Sequence, residues 1–255
     1  MFLGCSKLTK VTAPNFTPTN CTNMFSNCTL LTEIIGADTW NMSNCTSIDY
    51  MFRGCTNLIN LNIPNWNVSN ISNFAGAFFN CENLSVLNVS NWRPINAVNM
   101  QTMFKNCSKL TELNISNWGT LSKVSTLYST FDGCSSLTEL VLPTFTSTLT
   151  DMETTFAYCT NLTTLDLSNC DLSNAVFRNT FNTTTNLTNI NSGTNISNDI
   201  MFSDCNKLTV TSLLSIINNL ATVTGSKTLT LGSTNLAKLT DGQIAIATNK
   251  GWTIQ

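Results

Sequence analysis

The chain has 255 residues, eleven cysteines and no histidine, and only 10% of its residues are charged, for a formal net charge of −2. That balance excludes the basic footprint of a nucleic-acid binder and the acidic block of an interaction tail. No apolar run approaches the roughly eighteen residues of a membrane helix, so membrane insertion is not expected. The opening Met1-Phe2-Leu3-Gly4-Cys5 lacks the basic n-region and long apolar run of a signal peptide.

From the first residues onward one pattern recurs. Phe-x-x-Cys-x-x-Leu starts at Phe2, Phe25, Phe52, Phe78, Phe104, Phe131 and Phe156, degenerates at Phe181, and returns at Phe202. Neighbouring Phe residues are mostly 25 to 27 apart by subtraction, so nine copies run from Met1 to about Leu208. A fixed period of this length is the signature of a solenoid.

Within a copy, apolar residues stand four before the Phe (Cys21, Ile48, Phe74, Met100, Leu127, Met152, Phe177) and seven before it (Cys45, Ile71, Ala97, Val124, Leu149). With the Met that often precedes the Phe, this i, i+3, i+7 stripe predicts a helix of about two turns. Two residues after the Phe stand Gly4, Asn27, Gly54, Asn80, Asn106, Gly133 and Asp204, mostly types that tolerate the left-handed conformation closing a helix. Next comes Leu-x-x-Leu-x-Ile/Leu, as in Leu58, Leu61 and Ile63; the alternation of its last two predicts a short strand. Two-turn helices do not fold alone, so stacked copies must bury one another, with their strands paired in parallel and joined by right-handed crossovers.

The cysteines Cys5, Cys28, Cys55, Cys81, Cys107, Cys134, Cys159 and Cys205 fall once per copy and form a ladder. They read as small, buried, reduced side chains at a tight corner. Stacked Cβ vectors run parallel, which suits a disulfide ladder poorly, and Thr184 fills the slot in the eighth copy. Cys21 and Cys45, on core positions, are read the same way. Without His or C-x-x-C spacing there is no zinc constellation, and no cysteine nucleophile with an imidazole partner; no metal or cofactor is expected. A second column, fourteen residues after the Phe, holds Phe16, Trp66, Trp92, Trp118 and Phe145, with Trp40 one residue late and Cys170 in copy seven. It is read as an inward aromatic stack.

After Leu208 the repeat stops. Val210 to Leu220 reads as a helix, Thr228 to Leu231 as a strand ended by Gly232, Leu239 to Lys250 as a helix closed by Gly251, and Trp252 to Gln255 as a last strand. This organisation is a solenoid over 1–208 and a helix–strand–helix–strand cap over 209–255, continuous with it. Gly225-Ser226-Lys227-Thr228 echoes the end of a P-loop, but the upstream glycine is missing. The chain begins inside a repeat; it is expected to be a fragment of a longer protein, or to pack that apolar edge on another chain.

The segments M-F-R-G-C-T-N-L-I-N-L-N-I-P-N-W (51–66) and M-F-K-N-C-S-K-L-T-E-L-N-I-S-N-W (103–118) resemble the ~26-residue leucine-rich repeat of bacterial surface proteins, the BspA-like group. The resemblance spans roughly residues 1 to 208 and departs at Thr183-Thr184. It implies an α/β leucine-rich-repeat solenoid and adhesion to host proteins, other microbes or surfaces. The C-terminal segment looks like the piece that closes such arrays in gut-bacterial and phage-borne surface proteins.

The leading expectation is a non-enzymatic, extracellular or cell-surface module, bacterial or phage-borne, that presents a solenoid face to a protein or glycan ligand. The alternative is a structural spacer of a longer surface protein or phage fibre. An enzyme would need a paired carboxylate site, and nothing marks one. Between and beside the inward strand residues, Lys10, Thr12, Asn60, Asn62, Val86, Asn88, Glu112, Asn114, Glu139, Val141, Thr164 and Asp166 point outward. Strands about 4.8 Å apart would align them in rows, and that face is the candidate binding site.

Overall fold

A computed structural model describes all residues from Met1 to Gln255. Each copy is one coil of a solenoid. The strands are β1 (Lys10–Thr12), β2 (Glu33–Ile35), β3 (Asn60–Asn62), β4 (Val86–Asn88), β5 (Thr120–Leu121), β6 (Glu139–Val141), β7 (Thr144–Phe145), β8 (Thr164–Asp166), β9 (Asn189–Asn191) and β10 (Ile200–Met201). They pair in parallel as β1–β2, β3–β4, β5–β7 and β6–β8–β9. In the main strand of each coil the middle residue is buried and its two neighbours face outward, because side chains alternate across a strand.

The core is a set of columns. Nine phenylalanines, Phe2 to Phe202, stack ring on ring at 4.5–5.8 Å along the whole array. Trp40, Trp66, Trp92 and Trp118 form a second buried stack at 5.5–6.0 Å. Each indole satisfies its N–H on a backbone carbonyl of the preceding coil: Trp66 on Ala37 at 2.7 Å, Trp92 on Ile63 at 2.9 Å, Trp118 on Val89 at 3.0 Å. A buried Trp needs such a partner. All eleven cysteines are free thiols and all but Cys5 are buried.

The helix expected in each coil is absent, and stacked turns stand in its place. The residue two after the Phe is left-handed, as its Gly/Asn composition requires (Asn27 φ 60°, Gly54 φ 69°, Asn80 φ 59°), but a second left-handed residue sits two before it (Asn23 φ 55°, Tyr50 φ 50°, Thr102 φ 53°, Ser129 φ 50°). Left-handed residues four apart cannot continue a right-handed helix. Some N–H groups close local turns, such as Met24 to the Cys21 carbonyl at 3.0 Å; the rest point along the solenoid, with Asn23, Phe25 and Asn27 donating to Asp49, Met51 and Arg53 at 2.6–2.8 Å. Each non-glycine left-handed residue costs about 1–2 kcal/mol, and the inter-coil hydrogen bonds offset it. The i, i+3, i+7 stripe was therefore a true signal of inward faces, produced by turns.

The array ends in α1 (Val210–Asn219), β11 (Lys227–Thr230), the unforeseen short helix α2 (Ser233–Leu236), α3 (Asp241–Thr248) and β12 (Trp252–Ile254). Thr209 caps α1 by accepting the Ser212 N–H, and Thr240 with Gln243 forms a capping box on α3. Helix α1 covers the open edge of β9: Ser212 Oγ and Ser215 Oγ accept the N–H groups of Ile190 and Ser192, both at 3.0 Å. That is one way to protect a sheet edge. Strands β10, β11 and β12 pair in parallel. Their bonds prolong the turn stack: Phe202 N–H donates to Thr230 at 2.7 Å and Leu231 N–H to Gln255 at 2.6 Å, as Phe78 does to Met103 at 2.9 Å. Buried Leu231 thus takes the phenylalanine slot of a further coil. No helix is long and apolar enough to cross a membrane.

Candidate functional site

The outward strand residues fall where alternation places them. Lys10, Thr12, Asn60, Asn62, Val86, Glu112, Asn114 and Glu139 are exposed, while Asn88, Val141, Thr164 and Asp166 are half-buried. Each pair flanks a buried Val11, Leu61, Leu87, Leu113, Leu140 or Leu165. Lys10 pairs with Glu33 of the next coil at 2.8 Å, a surface contact of little energetic weight. The Asn88 amide donates to Asn62 Oδ1 at 3.1 Å, so part of the row is an amide ladder.

The rows have breaks. Strand pairing lapses between β2 and β3, and again on both sides of Thr111–Ile115, where Glu112 and Asn114 lie on unpaired chain rather than in a strand. Both coils concerned, the second and the fifth, make a tight 3-10 turn directly after the strand slot, at Ala37–Thr39 and Ser116–Trp118. Open clefts accompany the lapses. One of about 610 Å³ lies between coils two and three, lined by Glu33, Ile35, Asp38, Asn60 and Asn62 among others. Another of about 390 Å³ gathers Glu112, Asn114, Ser116, Glu139 and Val141 between coils five and six.

A shallow groove of about 480 Å³ runs across coils two to six beside these rows. Asn57, Asn83 and Lys109 form one wall, and Thr32, Ser85 and Thr111 the other, with Ile59 between. Sequence reasoning left these residues out, although they recur four and two positions before the middle strand leucine. Some hydroxyl protons of this row are already committed: in the groove Thr32 donates to Thr9 at 3.0 Å and Ser85 to Ile59 at 3.3 Å, and farther along Thr163 donates to Thr138 and Thr188 to Thr163 at 3.0 Å. The Asn83 amide likewise donates to Thr56 at 2.8 Å. The oxygens of Thr32 and Ser85 left facing out act chiefly as acceptors, Lys109 adds a cationic donor to the groove, and the carboxylates of Glu33, Glu112, Glu139 and Asp166 stand on the neighbouring outward rows.

The opposite, turn-lined side is the more continuous one. Parallel bridges link Ser47, Asn73, Asn99, Thr126, Asp151 and Val176 without a gap. Arg53 lies over the rings of Tyr50 and Phe79 at 5.3 and 5.5 Å, and Lys105 pairs with the part-buried Asp132 at 2.6 Å.

Comparison with known proteins places this architecture. The BspA type leucine-rich repeat region matches residues 100–230 in six copies, over half of the chain. The chain belongs to the BspA-type leucine-rich repeat family. That match runs past Leu208 to the end of β11, one residue before Leu231. A second family, described as Mycoplasma protein of unknown function, DUF285, matches residues 19–142. Among solved structures, an internalin from Listeria monocytogenes is 17% identical, with 92% of this chain and 66% of that one covered and a TM-score of 0.38. A leucine-rich cell surface protein from Faecalibacterium prausnitzii is 20% identical over 74% of this chain and 61% of that one, TM-score 0.31. A leucine-rich repeat protein from Bacteroides ovatus is 16% identical over 99% of this chain and 85% of that one, TM-score 0.23. This BspA-type chain thus spans under two thirds of the length of the first two. No curated protein matches it.

Proposed function

We propose that this BspA-type repeat array is a non-enzymatic binding module of a cell-surface protein, and that its ligand, a protein or a glycan, lies along the strand side. The observation that supports this reading is the groove across coils two to six. It is lined by residues that recur in axial rows and are polar throughout except Ile59, with a single charge at Lys109. A ligand spanning several coils there would make many weak polar contacts at once, which add as linked binding events. The mixed lining of hydroxyls, amides and the Lys109 ammonium suits a partner that both donates and accepts, such as a run of sugar hydroxyls or a peptide backbone.

The test is binding of the purified chain to glycan and extracellular-matrix arrays, repeated with two triple variants. Glu112→Ala/Asn114→Ala/Asp166→Ala and Asn60→Ala/Asn62→Ala/Asn88→Ala are expected to fold, since surface changes usually stay within about 0.5 kcal/mol, and to bind more weakly. A third variant, Asn57→Ala/Lys109→Ala, changes the groove itself; if all three bind a found ligand as tightly as the parent, the strand side is not the site. A second reading, a spacer without a ligand of its own, is favoured by the unbroken bridges of the turn side from Ser47 to Val176; a folded chain that binds nothing on either array supports it.

A further inference from the structure

Two buried cysteines, Cys21 and Cys45, stand outside both the corner ladder and the aromatic column. The corner thiols from Cys28 to Cys159 each donate to the carbonyl of a phenylalanine in the preceding coil, such as Cys81 to Phe52 at 3.0 Å and Cys107 to Phe78 at 3.2 Å. They aim at backbone, one above another, and not at neighbouring sulfur. Cys21 and Cys45 come from different registers: four before the phenylalanine in coil two, and seven before it in coil three. Side chains from different registers converge across the coil boundary instead of running parallel. Backbone bonds hold the two segments side by side, Thr46 N–H to Thr19 at 3.1 Å and Cys21 N–H to Ser47 at 2.9 Å. Cys45 Sγ donates to the Ser47 carbonyl at 3.3 Å, the same carbonyl that accepts the Cys21 N–H at 2.9 Å, so the two buried cysteines meet at one point of the coil boundary.

Nothing in the stack demands cysteine at either slot. One coil on, the same two positions hold Ile48 and Ile71, both fully buried. We propose that Cys21 and Cys45 are a disulfide-forming pair, a staple that closes coil two onto coil three when the chain folds in the presence of an exchanging disulfide. The Cys45 thiolate attacks one sulfur of that small disulfide and expels a thiolate; the Cys21 thiolate then attacks the mixed disulfide and expels the second. Two protons and two electrons leave the protein, and the small disulfide is reduced to two thiols. Where the two thiols are already side by side, the neighbouring Cys21 lowers Cys45 and is itself raised, which makes Cys45 the first nucleophile. Both sulfurs are buried in the folded array, so exchange takes place before the coils close or through local opening.

The experiment uses the full chain carrying Cys5→Ser, which removes the exposed thiol. It is unfolded, refolded in oxidised or reduced glutathione, denatured, alkylated, and mapped by chymotryptic peptides. The oxidised sample is expected to show two fewer alkylated thiols than the reduced one, a linked peptide containing Cys21 and Cys45, and a melting temperature higher by on the order of a few degrees. Adding Cys45→Val should remove both the link and the shift; Val124 already occupies that slot in a later coil, so the variant is expected to fold. Full alkylation after oxidative refolding overturns the proposal, and so does a link that joins Cys28 to either residue.

Discussion

The hydroxyl of Thr184 donates to the carbonyl of Phe156 at 2.8 Å, the bond that the thiol of Cys159 makes to Phe131 at 3.1 Å one coil earlier. The corner slot therefore asks for a small side chain with a donor, and either element can supply it. Thr184→Cys is expected to change stability by less than about 1 kcal/mol. Thr184→Val keeps the shape but removes one of the two bonds that the Phe156 carbonyl accepts, the Cys159 N–H at 3.3 Å being the other, at about 0.5–1.5 kcal/mol. Urea midpoints of the two variants decide it, and equal midpoints would refute the donor role.

Burial pushes the corner thiols up, Cys55, Cys134 and Cys205 to about 12 from the usual 9.0. A folded pKa above the unfolded value means that the folded state holds its thiol protons longer. Stability from these groups is full below pH 9 and falls as pH rises from there towards 12. Melting temperatures are expected to drop between pH 8.5 and 11, and less steeply in Cys134→Thr, which keeps the donor and cannot ionise in that range. A flat profile, or one unchanged by the substitution, contradicts this account.

Trp92→Ala and Trp118→Ala should each destabilise the array by about 3–5 kcal/mol, as large buried aromatics do when truncated. In a nearest-neighbour stack the two flanking interfaces weaken as well. A melting curve that matches the parent's would mean that the rings contribute little to the core.

Lys250 places its Nζ on the carbonyls of Ile217, Asn218 and Leu220 at 3.3, 2.7 and 2.8 Å, at the end of α1. A cation there also meets the negative end of the helix dipole. Lys250→Met is expected to cost about 1–3 kcal/mol and to speed amide exchange over residues 210–220 while leaving coils one to seven unchanged. Uniform protection in the variant would place the clamp elsewhere.

The sequence by itself determined the period, the inward positions and the two aromatic columns, because a residue repeated once per coil can only stack on its own copies. Outward strand residues such as Glu139 and Asp166 followed from simple alternation. Whether the i, i+3, i+7 stripe became helix or turn was decided only by the tertiary structure. Tyr50, Thr102 and Ser129 carry no sequence mark of a left-handed backbone, and it is the row of hydrogen bonds from the next coil that makes the conformation affordable. The same holds for the breaks beside β2 and Thr111–Ile115, since strand pairing depends on where two coils lie relative to each other. Cys21 and Cys45 looked like two more core cysteines for that reason: they stand in different slots of different copies, and their contact exists only across the coil boundary.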